Sequence, residues 1–102
     1  MTTINFYIGK FDKNTHKQEL SNEFILNSIH RILTSRGVQG YTVTSCKGCY
    51  THSDGSIVRE PSYKVTVCNT TIPVHIICYE FKFRFNQESI LVETYESNVA
   101  CI

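Results

Sequence analysis

Cys46-x-x-Cys49-x-x-His52 is the one cluster in this sequence with the spacing of a metal knuckle. Zinc takes thiolate and imidazole ligands, four as a rule, and a Cys-x-x-Cys pair supplies two of them at a suitable bite. Cys68, His75 and Cys78 could complete such a site only if the fold gathers them. Both cysteines sit in a run that reads as a strand, where side chains alternate between faces, so their convergence requires a bulge at Gly48. The plainer reading is a pair of small hairpin cysteines, and no metal is expected. A thioredoxin-like redox role fits less well, since that motif opens a helix.

Two other constellations carry potential chemistry. Tyr79-x-Phe81-Lys82-Phe83-Arg84-Phe85 interleaves rings with cations, the composition of a base-stacking platform. The competing reading puts most of these rings in the core and leaves Lys82 and Arg84 solvated. Rings lying off the core face would instead mark a subunit interface, where aromatics are enriched. Tyr50, His52, Arg59 and Glu60 flank the tip of a long hairpin, which has too little core beneath it to stand alone. Such an arm packs on a neighbouring subunit, clasps a ligand or engages a partner protein. His16, His30, His52 and His75 are scattered, and no nucleophile elbow, phosphate-cradling loop or dinucleotide fingerprint is present. No catalytic residue is expected; a small enzyme is the minority reading.

Composition narrows the classes further. The chain has 102 residues, enough for one domain with a modest core. A net charge of +1 and the absence of clustered Lys and Arg argue against a specific nucleic-acid surface, and equally against the acidic surface of a DNA mimic. No apolar run approaches the roughly 20 residues that span a bilayer, and the N-terminus lacks the pattern of a signal peptide. Five cysteines form an odd set, which fits free thiols in a reducing cytosol. The expectation is a cytoplasmic protein.

These residues must be positioned by a small set of elements. Ile4, Phe6 and Ile8 share one face of a first strand, and Gly9 follows where the chain leaves the sheet. Residues 10–19 read as an ordered polar surface loop with a turn at Asp12-Lys13-Asn14-Thr15. Ser21 can cap a helix over 22–36, with Ile25, Ile29, Ile32 and Leu33 as its apolar stripe and Gly37 as its stop. Residues 41–68 form the hairpin, turned at Ser53-Asp54-Gly55. Pro61 cannot donate to a ladder and marks an edge or bulge between Ile57-Val58 and the Tyr63 run. Residues 70–86 pull two ways. Cys78 to Phe85 alternates like a strand, yet Val74, Ile77, Cys78, Phe81 and Phe85 share a helical face and Pro73 suits a helix start. Chain order favours the helix, because a strand–helix–strand–strand opening closes as helix–strand. A last strand over 90–95 and a tail over 96–102 complete the chain.

The expected fold is therefore α+β, a ferredoxin-like βαββαβ sandwich. Its antiparallel sheet carries two helices on one face and a long hairpin between the second and third strands. Phe6-Tyr7-Ile8-Gly9, Lys17-Gln18-Glu19, Gly48-Cys49-Tyr50 with Asp54-Gly55, and Asn86-Gln87-Glu88-Ser89 resemble the PII-like group of small ferredoxin-like domains. The chain is most similar there to short phage and prophage proteins of low-GC Gram-positive bacteria. The resemblance implies a homo-oligomer, a trimer above all, that holds nucleotides or other small anions in clefts between subunits and uses the hairpin as an effector arm. The basic, glycine-rich phosphate segments of the nitrogen regulators are absent here, which argues against ATP.

These observations converge on a non-enzymatic oligomeric binding module, a phage accessory protein that inhibits a host defence factor. It would act by sequestering a small anionic or nucleotide ligand, or by binding a host protein. Ligand contacts are expected from Tyr7, Lys10, Tyr50, Arg59, Arg84 and Asn86: rings to stack, cations for anionic groups, one amide for an edge. A partner protein would meet Tyr50, His52, Arg59 and Glu60. No cofactor is expected. The alternatives are a zinc-supported interaction domain on Cys46, Cys49 and His52, or a small enzyme.

Overall fold

A computed structural model of the chain describes residues 1–51, 53–68 and 71–102. Its elements are β1 (Thr2–Gly9), α1 (Asn22–Ser35), β2 (Thr42–Thr51), β3 (Ile57–Cys68), α2 (Val74–Arg84) and β4 (Leu91–Glu96). The strands form one antiparallel sheet in the order β2-β3-β1-β4, the ferredoxin-like arrangement. Ile4, Phe6 and Ile8 of β1 and Tyr63, Val65 and Val67 of β3 are buried on the same face. Both helices cover that face. α1 contributes Ile25, Ile29, Ile32 and Leu33, and α2 contributes Ile77 and Phe81.

Local chemistry sets the ends of α1. The Ser21 hydroxyl accepts from the Phe24 N–H at 3.1 Å, satisfying one orphan donor of the first turn. At the other end, Arg36 as C-cap donates its N–H back to Leu33. Its guanidinium pairs with Glu80 and so ties α1 to α2.

α2 is helical although its sequence alternates. The 3.6-residue period puts Ile77, Phe81 and Phe85 inward, where Phe81 meets Phe6 edge-on at 5.5 Å between centroids and stacks on Phe85 at 6.0 Å. Tyr79 and Phe83 are 69 % and 81 % exposed, so the rings divide evenly between core and solvent instead of lying mostly in the core. Pro73 is the N-cap, with no side-chain cap bond. Thr70, part of the expected helix start, lies outside the described residues.

β2 and β3 differ from expectation in their continuity. β3 runs unbroken through Pro61, which lies opposite Lys47. The Pro61 carbonyl accepts from Lys10 N–H at 3.0 Å. In an antiparallel strand a residue's N–H and C=O face the same neighbour, so the missing donor of Pro61 points past Gly9, where the β1 ladder ends. β2 likewise pairs without a bulge at Gly48, which leaves Cys46 and Cys49, three residues apart, on opposite faces. The knuckle geometry is therefore not met by this pair. Its third member, His52, lies outside the described residues, and among those described no three His, Cys, Asp or Glu side chains gather as a metal site.

At the hairpin tip, Asp54 Oδ1 accepts from Ser56 N–H at 2.9 Å and Gly55 takes a φ of 89°, a conformation that favours glycine. After β4 the tail is not a further strand; Ser97 N–H bonds to the Met1 carbonyl at 2.7 Å. Among the described residues no helix is long and apolar enough to cross a membrane.

Phe81 is fully buried between β1 and the end of α2, so Phe81→Ala removes a ring that no neighbour can replace. Chemical denaturation of this variant is expected to show a loss of about 3–5 kcal/mol.

Candidate functional site

β1 stops pairing at Gly9–Ser62, but the β2–β3 ladder continues from Lys47–Pro61 out to Thr51–Ile57. This overhang is the arm expected from the sequence. Beside it run the loop 10–20 and the turn 85–90 between α2 and β4, and the three segments enclose a cleft of about 610 Å³. The arm supplies Tyr50, Val58 and Glu60; the loop supplies Phe11, Asp12, Lys13 and His16; the turn supplies Gln87, Glu88 and Ser89.

Glu60 is seated by a glycine and a backbone donor. Its Oε2 accepts from Phe11 N–H at 2.7 Å. A Cβ on Gly9 would collide with that same oxygen, so the carboxylate occupies the space a side chain would take. Across the ladder from Val58, the Tyr50 phenol is pushed above its ordinary titration range, by desolvation first and then by Glu60 and Glu88. It therefore stays protonated and keeps both an O–H and an aromatic face.

The opposite wall is built from hydrogen bonds. Asp12 Oδ1 accepts from Asn14 N–H and Thr15 N–H, and Oδ2 accepts from Asn86 Nδ2 at 2.8 Å. These bonds, led by the one from Asn86, hold the Asp12 carboxyl below the usual range. Gln87, 8 % exposed, donates from Nε2 to the Phe11 carbonyl at 2.6 Å. Three carboxylates thus line the cleft against one ammonium and one imidazole. That balance suits a neutral or cationic ligand better than the small anion expected from the sequence.

Of the residues singled out beforehand, Tyr50 and Glu60 line the cleft, and Asn86 stands behind it as the partner of Asp12. Tyr7 lies on the helix-free face of the sheet, donating to Glu93 at 3.2 Å. Lys10 covers the Tyr63 ring at 3.9 Å. Arg59 is exposed on the arm opposite Cys49, and Arg84 is exposed in the last turn of α2. His52 is outside the described residues. Phe11, Asp12, Lys13, His16, Gln87 and Glu88 were not anticipated. The signals that could have found them are a polar loop with an Asp-led turn, and an Asn-Gln-Glu-Ser quartet, both next to the arm's base.

Sequence and structure comparisons place the chain among known proteins. A family model described as protein of unknown function, DUF3574, matches residues 3–100. The chain belongs to this family. No curated protein matches it. Among solved structures, this DUF3574 domain is similar to a phage SAM lyase in complex with S-methyl-5'-thioadenosine, with a TM-score of 0.71 and 19 % identity over 93 % of this chain and 80 % of that one. The phage SAM lyase in its apo state matches with the same TM-score and identity, over 92 % and 78 %. These similarities fix the fold. The PII-like attribution and the Gram-positive source find no support in them; the ferredoxin-like arrangement does.

Gly9→Ala is expected to push the flexible Glu60 carboxylate off Phe11 N–H while leaving the sheet folded. Gly9→Ala, Glu60→Ala and the double variant should then lose similar amounts of ligand affinity, a non-additive cycle measurable by titration calorimetry. Asp12 titrates below its unfolded value, so its contribution is full above about pH 4 and is lost as pH falls from there through the lower native value. Asn14 and Thr15 amide resonances are expected to shift together in that acid window.

Proposed function

We propose that this DUF3574 domain binds an adenosyl sulfonium of the S-adenosylmethionine class in the cleft and breaks the bond from its sulfur to the amino-acid chain. The observation that carries the reading is the surplus of carboxylates around an aromatic face. A sulfonium is a compact, permanent cation, attracted both to carboxylates and to the face of a ring such as Tyr50. Glu60 and Glu88 supply the charge, and Gln87 with Ser89 supplies the polar groups that a nucleoside's hydroxyls and ring edge require. A phosphate-bearing ligand would meet repulsion here. The likeness to a phage SAM lyase supports the same choice. As the bond breaks its electron pair passes to sulfur, leaving S-methyl-5'-thioadenosine, and the substrate's own carboxylate oxygen bonds to the carbon that sulfur leaves, so that the amino-acid chain departs as its lactone.

The protein would act as a phage accessory factor in the host cytosol, depleting a small molecule that a host factor requires. It would work as a homo-oligomer, a trimer for preference. Leu91 and Tyr95 are 66 % and 47 % exposed on the helix-free face of the sheet, a surface a second copy can cover.

Sequestration without turnover is the second reading. In its favour, both oxygens of Asp12 are engaged by the protein and its carboxyl is held low, the opposite of what a general base needs.

Incubation of the purified chain with S-adenosylmethionine, followed by chromatography and native mass spectrometry, separates these outcomes. Accumulation of S-methyl-5'-thioadenosine beyond one equivalent per chain is expected, with Glu60→Gln slowing it by about ten- to a hundredfold. Stoichiometric retention of the intact sulfonium would mean sequestration. Neither retention nor product would overturn both readings.

A further inference from the structure

Asn86, behind the cleft, bonds to the loop 10–20 through both its backbone carbonyl and its side chain, next to the single bond that Gln87 makes to Phe11. Its backbone takes a φ of 48°, and the other non-glycine residue at positive φ among those described, His16 at 59°, sits in the loop that Asn86 faces. Non-glycine residues pay conformational energy in this region, and such conformations persist where surrounding bonds over-determine them. Here the bonds are visible. The Asn86 carbonyl accepts from Lys13 N–H at 3.0 Å, while its side-chain amide donates to Asp12. Asp12 in turn closes the loop on itself: its N–H donates to the Lys17 carbonyl, its own carbonyl accepts from His16 N–H, and its Oδ1 holds Asn14 and Thr15.

We propose that Asn86 is the positioning residue of the cleft, latching the loop 10–20 to the turn after α2. The latch fixes the wall that carries Asp12, Lys13 and His16 at a set distance from Tyr50 and Glu60. This rests on the reading of the cleft as a ligand site, and it gives Asn86 a role distinct from touching the ligand. The asparagine is suited to both halves of the task. It tolerates the left-handed backbone better than most residues, and its amide is a donor matched to a charged acceptor. Asp12, with both oxygens engaged by the protein, serves the wall; the charge offered to a ligand comes from Glu60 and Glu88.

Three variants test the latch. Asn86→Gly keeps the left-handed backbone and removes only the amide. Asn86→Asp sets a carboxylate against Asp12. Asp12→Asn combined with Asn86→Asp restores a donor facing an acceptor with the roles reversed. Hydrogen exchange at Lys13, Asn14 and Thr15 and affinity for S-methyl-5'-thioadenosine are measured on each. Asn86→Asp is expected to speed that exchange and to weaken binding, each by about tenfold or more, the factor of one lost charged hydrogen bond. Asn86→Gly should move both in the same direction, and the reversed pair should recover both. Unchanged exchange in Asn86→Asp and Asn86→Gly would overturn the latch. Faster exchange with unchanged affinity would overturn its positioning role. If the wild-type chain binds no S-methyl-5'-thioadenosine or S-adenosylmethionine while exchange still follows the three variants, the ligand reading fails and the latch stands.

Discussion

The mismatch between two ladders governs this molecule. β1 lends β3 a second partner only as far as Ser62, while β2 stays paired with β3 out to Ile57. Up to that point the sheet has helices above it and a core of isoleucine, valine and phenylalanine. Beyond it, two strands continue with no helix to cover them, and their side chains face whatever the adjoining loops provide. The cleft is the space left by that mismatch. Gly9 and Pro61 mark its boundary: one has no side chain where Glu60 lies, and the other has no N–H where the ladder ends.

Elements whose stability comes from one local pattern were legible in the sequence. α1 has a cap, an apolar stripe and a stop that agree, and its observed span, Asn22–Ser35, falls one residue short of the expected end. α2 was legible only through chain order. Its run of Tyr79, Phe81, Phe83 and Phe85 satisfies a period of two, and a helix accommodates it by exposing every second ring. A strand at this point would have left the sheet without its second cover, so tertiary demand overrode the local pattern. Pro61 and Gly48 show the reverse case. Each has a local preference for interruption, and the β2–β3 ladder runs through both because the missing donor of Pro61 falls on the β1 side, past the last β1 pair, and the glycine simply lies opposite Glu60.

The site was less legible than the fold, for a physical reason. Its walls are set by bonds between residues far apart in sequence: Phe11 with Glu60, Phe11 with Gln87, Asp12 with Asn86. Nothing in the spacing of residues 10–20 announces that their backbone will be held by a turn more than sixty positions later. Tyr50 and Glu60 could be singled out because their exposure followed from the arm itself. Arg59, next to Glu60, follows the opposite parity and lies away from the cleft, so proximity in sequence was no guide to sharing a site.

The charge of the cleft also shows why fold resemblance and ligand chemistry must be argued separately. The sequence suggested a small anion, from a resemblance to domains that hold nucleotides and from cations at Lys10, Arg59 and Arg84. In the folded chain those cations are spent elsewhere or point away: Lys10 covers Tyr63, and Arg59 and Arg84 are exposed outside the cleft wall. The groups that converge are Asp12, Glu60 and Glu88. The first two accept backbone N–H bonds, and partial charge from those donors cannot cancel a full negative charge. A ligand entering here gains by carrying positive charge and by offering an edge or face to Tyr50. The same backbone arrangement would favour an anion if the carboxylates at the arm and the turn were replaced by cations, which is why the preference belongs to these side chains and not to the fold.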